Sequence, residues 1–122
     1  MPSIPFSAID HVQLAMPPGE EDKARRFYGN LLGMVELLKP PELAKRGGAW
    51  FASGHVQIHL GVEADFRPAK KAHPALVCSD YSRLLTTLQA AGISMEEDDN
   101  YPGVRRCYIH DPFGNRIELI SA

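Results

Sequence analysis

Residues Arg105 to Ile120 read RRCYIHDPFGNRIELI, and this stretch decides the fold. Two strand-like runs, Arg105 to His110 and Arg116 to Ile120, flank Asp111-Pro112-Phe113-Gly114-Asn115, whose Pro and Gly suit a tight turn. Side chains alternate along a strand, so Ile117 and Leu119 take one face and Arg116, Glu118 and Ile120 the other. Glu118 then sits in mid-strand between apolar neighbours. A carboxylate is costly to bury there unless it meets a cation. What Glu118 meets is the question the rest of the chain has to answer.

Working outward, the same order of elements occurs twice. In the first half, the alternating run Ile9 to Ala15 predicts a strand with Val12 and Leu14 on one face and His11 and Gln13 on the other, broken at Met16-Pro17-Pro18-Gly19. Ala24, Phe27, Tyr28, Leu31 and Leu32 then mark one face of a helix, with Glu20, Glu21 and Asp22 in its first turn and Gly33 at its end. Met34 to Leu38 predicts a short strand and Lys39 to Gly48 a loop; Ala49 to Ala52 and Val56 to Val62 predict a hairpin. In its second strand Val56, Ile58, Leu60 and Val62 share a face, leaving Gln57 and His59 opposite.

The charged stretch Glu63 to Ala72 reads as a linker, after which the pattern restarts. His73 to Cys78 predicts a strand, and Ser79 or Asp80 caps a helix whose apolar face is Tyr81, Leu84, Leu85 and Leu88 and which Gly92 closes. Ile93 to Glu96 predicts a strand, Glu97 to Gly103 an acidic loop, and the Arg105 to Ile120 hairpin completes the series. The order βαβββ, linker, βαβββ, with a His opening each half (His11, His73) and a Gly closing each helix, predicts an internal repeat. The expected fold is α+β: a single domain over residues 1–122, two βαβββ modules at about 7–62 and 73–122 joined by the linker 63–72, forming one eight-stranded, half-open curved sheet.

Composition narrows the function. A chain of 122 residues with 44% hydrophobic and 23% charged residues suits one soluble domain. A net charge of -2 and a pI near 6.2 provide no basic field for a nucleic acid, so the expected ligand is a small molecule. No apolar run is long enough to span a membrane, and MPSIPFSAID lacks the segments of a secretion signal, which makes the cytoplasm the expected location. Cys78 and Cys107 fall in separate strand-like runs and are expected to be buried free thiols.

With helices on the outer face, His11, His59, His73 and Glu118 would all point to the inner side of the sheet. Three imidazoles and a carboxylate suit a divalent metal ion such as Zn, Ni, Co, Mn or Fe(II). Each residue also has a plainer reading: a strand His is often a satisfied polar side chain, and Glu118 has Arg116 and Arg106 nearby to neutralise it. One ligand-type residue at each of four repeat-equivalent positions favours the metal. His55, at a hairpin turn, and His110, beside the Asp-Pro turn, are expected to be non-ligands.

The stretches IDHVQLAM, FYGNLLGM, VQIHLG and DPFGNRIEL give the chain a resemblance to the glyoxalase/bleomycin-resistance/dioxygenase (vicinal oxygen chelate) superfamily, from Ile9 to Leu119. The resemblance implies paired βαβββ modules around a cleft, with His11, His59, His73 and Glu118 at the four ligand positions. In glyoxalase I the second of these is usually Glu, and here it is His59. The subset His11, His73 and Glu118 resembles the two-His, one-carboxylate set of extradiol dioxygenases and fosfomycin-modifying transferases. Tyr108 falls where the latter carry a substrate-contacting tyrosine, and a strand Tyr also serves core packing.

The function implied is a divalent-metal-dependent lyase or isomerase of glyoxalase type acting on a small oxygen-chelating substrate, with Glu118 or His59 as base. Trp50, Tyr101, Arg46, Arg106 and Tyr108 are the candidate substrate-binding residues. The arginines suit a carboxylate or phosphonate, and each of these side chains also has a plain reading as surface charge or core aromatic. The alternatives are a metal-free binding protein of the bleomycin-resistance kind, a fosfomycin-type thiol transferase and an extradiol-like dioxygenase. Exposed sheet edges and the resemblance together predict a homodimer.

Overall fold

The computed structural model describes residues 4–122, so the first three residues of the segment in which no leader is expected lie outside the described residues. In chain order the elements are β1 (Val12–Met16), α1 (Glu21–Ala24, continuing as a π-helical stretch Arg25–Leu31), β2 (Val35–Leu37), α2 (Pro41–Ala44), β3 (Ala49–Ser53), β4 (Val56–Val62), β5 (Ala75–Cys78), α3 (Tyr81–Ala90), β6 (Glu96–Glu97), β7 (Arg106–His110) and β8 (Arg116–Ser121). The strands form two four-stranded sheets, ordered β1-β4-β3-β2 and β5-β8-β7-β6. In each, the first strand runs parallel to the last and the other pairings are antiparallel. The predicted repeat is thus present in the pairing as well as in the order of elements. Among the described residues no helix is long and apolar enough to cross a membrane.

Alternation turns one apolar face of the central strands toward the helices. Leu14, Phe51, Ile58, Leu60, Ile109, Ile117 and Leu119 meet Phe27 and Tyr28 from the first helix and Tyr81 and Leu88 from α3 in a single cluster that spans both halves. Burying a side chain such as Ile58 or Leu60 contributes about 2 kcal/mol each. Cys107 is buried in this core, Cys78 lies at its margin, and both are free thiols.

Several boundaries differ from expectation. Met16 belongs to β1: two residues after Leu14 it shares the inward face and is 0% exposed, so the break begins at Pro17. His11 and His73 stand just upstream of β1 and β5 rather than inside them. The strand expected at Ile93 to Glu96 is two residues, Glu96–Glu97, because Ile93 instead donates its backbone N–H to Leu88 O and packs on the core. The loop after β2 contains a turn of helix, α2, for which Pro41 is well placed at the first position. In the first helix, Leu32 N–H reaches back five residues to Phe27 O (2.9 Å), the widened π register. Asp80 is the cap of α3, accepting from Arg83 N–H at 3.3 Å.

The Asp-Pro-Phe-Gly-Asn turn fastens the two halves together. Asp111 accepts from Phe113 N–H (2.9 Å), Asn115 N–H (2.8 Å), Asn115 Nδ2 (3.0 Å) and the Tyr28 hydroxyl (2.7 Å). Asn115 Nδ2 also donates to Ala15 O at the end of β1 (2.8 Å), and Asn115 Oδ1 accepts from Ala69 N–H in the linker (3.0 Å). Both residues are buried, which this density of hydrogen bonds makes tolerable. Among the described residues the Asp111 charge pairs with no cation; four donors take that part.

Candidate functional site

Strand register brings the candidate ligands together in two pairs. On the first sheet His59 of β4 lies between Gln13 of β1 and Trp50 of β3. His11, two residues before Gln13, projects to the same face. The His11 and His59 rings stack at 3.9 Å with planes 11° apart, and Trp50 stacks on the other side of His59 at 4.2 Å and 9°. His11 Nδ1 lies 2.8 Å from Asp10 Oδ2, and His59 Nε2 lies 3.1 Å from Gln57 Oε1. Burial between the two rings, reinforced by His11, holds the His59 pKa below the ordinary histidine value, with Asp10 opposing, which favours neutral imidazole.

On the second sheet Glu118 of β8 lies between Ala75 of β5 and Tyr108 of β7. His73, two residues before Ala75, places Nε2 3.0 Å from Glu118 Oε1. Its Nδ1 is 2.7 Å from Lys71 O, and because a carbonyl only accepts, Nδ1 carries a proton. In the neutral ring this turns the Nε2 lone pair toward a carboxylate oxygen. A cation, either a proton or a metal ion, must then bridge the two. The 3.0 Å separation is that of a hydrogen bond, and an imidazole nitrogen beside a carboxylate oxygen suits a divalent metal in its chemistry.

The opening question about Glu118 has a further answer. Its Oε2 accepts from Arg106 Nη1 at 3.1 Å, and Arg106 Nη2 reaches Asp98 of the acidic loop at 2.9 Å. Burial pushes the Glu118 carboxyl up, but the hydrogen bonds from His73 and Arg106 outweigh it, leaving the pKa below the usual glutamate value. Tyr108 is walled by the edge of His73 (5.5 Å, 90°) and by the Arg116 guanidinium, 3.7 Å from its ring centre.

The expectation that all four ligand-type residues converge is met only pairwise. Among the described residues, no group of three or more His, Cys, Asp or Glu side chains is placed to hold a metal ion. The reason is that His11 and His59 belong to one sheet, His73 and Glu118 to the other. The parallel stacking of His11 and His59 likewise keeps their in-plane lone pairs from meeting at one point, so joint ligation requires the rings to splay.

The other candidates divide. Trp50 and Arg46 line a cavity of about 160 Å³ on the first sheet, together with Gln13, Lys39, Leu43 and Gly61. Arg106 is committed to two carboxylates. Tyr101 is 57% exposed on the acidic loop, with Arg106 5.6 Å from its ring centre. Lys39 is an addition that the sequence reading did not place in the site, and Arg116, read there as a neutraliser of Glu118, lies over Tyr108 instead. Arg116 shares a strand face with Glu118, so alternation alone carried that signal. His55 lies in the turn between β3 and β4, and exposed His110 pairs across the ladder with Arg116.

A family model for the Glyoxalase/Bleomycin resistance protein/Dioxygenase superfamily matches residues 8–119. The chain belongs to this superfamily. Among solved structures, a protein from Bacillus anthracis assigned to the glyoxalase family is 48% identical, with 98% of each chain covered and a TM-score of 0.94. The lactoylglutathione lyase of Agrobacterium tumefaciens is 22% identical (98% and 96% covered, TM-score 0.72). The fosfomycin resistance protein FosX of Listeria monocytogenes is 17% identical (96% and 94% covered, TM-score 0.75). At those identities the last two share the fold with this chain. No match was found among curated proteins.

Proposed function

We propose that this superfamily member is a divalent-metal-dependent enzyme of the lyase or isomerase type acting on a small oxygen-chelating substrate. We propose further that it works as a homodimer, in which His11 and His59 of one protomer meet His73 and Glu118 of the partner subunit. The observation that carries this reading is the His73 and Glu118 pair: an imidazole nitrogen and a carboxylate oxygen facing each other at 3.0 Å, where a metal ion would replace the bridging proton, on a sheet that supplies no third ligand among the described residues. The His11 and His59 pair supplies the complementary donors. Two free cysteines support a reducing compartment, the cytoplasm.

A bound divalent ion would supply Lewis-acid stabilisation of charge developing on a substrate oxygen. The residues of the chain do the rest. Lys71 O fixes the His73 tautomer, so that Nε2 faces the site. Arg106 holds Glu118 Oε2 and leaves Oε1 turned inward, and the lowered pKa keeps the carboxylate ionised at neutral pH. Glu118 and the neutral His59 are the two candidate proton acceptors. Trp50 and Tyr108 give each half of the site an aromatic wall.

One observation favours a second reading, a metal-free protein that binds a small molecule: Arg106 and His73 already satisfy Glu118. Elemental analysis decides between the two. Wild-type protein and Glu118→Ala are exchanged into chelator-free buffer and offered Ni, Zn, Co, Mn and Fe(II) separately. Near-stoichiometric metal lost in the variant supports the enzyme, and no retained metal under any condition supports the binding protein.

A further inference from the structure

We infer that the cavity beside Trp50 is the seat of an anionic group, and that the ligand of this protein is a small organic acid carrying a carboxylate or phosphonate. The inference rests on the proposed function in treating this cavity as part of the same site, since the Trp50 ring that walls it stacks on His59.

The cavity lies on the face of the first sheet that carries His11 and His59, lined by Gln13 and Gly61 of the strands, by Leu43 of α2 and by Arg46. A side chain at Gly61 would have its Cβ 2.5 Å from Gln13 Nε2, so the glycine is what leaves the amide room. Two cations line the space, Lys39 and Arg46, and no acidic side chain does among the described residues. Glu21, the acid nearest the loop, has its Oε2 on Gly48 N–H at 2.8 Å. Lys39 donates to Gly47 O and sits over Trp50, 5.8 Å from the ring centre. Arg46 enters no ion pair among the described residues.

Arg46 is exposed and Lys39 half-buried, so a guanidinium and an ammonium beside one small space without a carboxylate are open to an anionic ligand. Leu43 and the Trp50 face beside them suit a short apolar segment rather than a hydrated inorganic ion. At 160 Å³ the cavity holds the equivalent of about five waters, enough for an acid head and two or three carbons.

Trp50 is the single tryptophan of the chain, so its indole N–H gives one unambiguous resonance at the wall of the cavity. Metal-stripped protein is titrated with L-lactate, methylphosphonate and the neutral lactamide, in wild type, Arg46→Gln and Arg46→Lys. The expected result is a saturable shift with both anions and none with lactamide, weakened about tenfold by Arg46→Gln and largely restored by Arg46→Lys. Equal response to lactamide, no saturable response, or an Arg46→Gln variant that binds like wild type would overturn the inference. Because no metal is present, these readings stand whether or not the metal proposal survives.

Discussion

His59 and Glu118 hold the same register position in the two sheets. Each pairs on one side with the residue two beyond the first histidine of its half, Gln13 or Ala75, and on the other with an aromatic, Trp50 or Tyr108. The set His11, His59, Trp50 therefore maps onto His73, Glu118, Tyr108 by the internal repeat. One half carries the carboxylate and the other a second imidazole, so the two half-sites are complementary rather than identical.

Arg106 is a positioning residue for Glu118. Replacing it by Met, which keeps the bulk, leaves Glu118 Oε2 and Asp98 without their shared partner. The expected result is a loss of metal affinity of about tenfold to a hundredfold, read by competition with a chromogenic chelator. The pattern of backbone amide resonances should stay native.

The fold and the strand faces of His59 and Glu118 were legible in the sequence because they rest on alternation and repetition. Ile117 and Leu119 against Glu118, and Leu60 against His59, are period-two facts that the strands reproduce. Partners distant in sequence were not legible. Whether Glu118 meets Arg106 or Arg116 depends on which rotamer crosses the ladder, and Asp98 enters from a loop without periodicity. The cavity was hidden for a similar reason: one turn of helix at Pro41–Ala44 carries too few residues to show a pattern, yet it brings Leu43 over Trp50. The pairwise rather than fourfold meeting of the ligands depends on how the two sheets are disposed, which period and spacing do not encode.

The Asp-Pro-Phe-Gly-Asn turn is predicted to be a stability element. Tyr28→Phe removes one buried hydrogen bond to Asp111 and should cost about 1–2 kcal/mol. Asp111→Ala strands several donors and should cost about 3 kcal/mol or more. Urea melts of both variants check this order.

Alkaline titration probes the same bond. Burial, with the Asp111 charge and hydrogen bond adding to it, raises the Tyr28 pKa well above its ordinary 10.0. The native state therefore holds this proton where the unfolded chain releases it. The contribution is full below about pH 10 and is lost as pH climbs toward the raised native value. Tyr28→Phe should show a shallower alkaline loss of stability than wild type, and equal slopes would contradict the assignment.

Gly48 is predicted to tolerate no side chain. Its φ of +82° is left-handed, and a Cβ there would fall 2.1 Å from Leu60 O, a backbone atom that cannot turn away. Gly48→Ala should destabilise by about 2 kcal/mol or more and disturb the loop that roofs the cavity. A wild-type melting temperature would contradict this.

The central claim is that two chains complete each metal centre, and complementation between His11→Ala and Glu118→Ala tests it most directly. Each variant alone should bind no metal. Co-refolded at equal amounts, random pairing makes half the dimers mixed, and a mixed dimer contains one intact centre, so about a quarter of an ion per chain should return. A mixture that stays as empty as its two components, while wild type binds metal, would contradict the claim and put each centre within one chain.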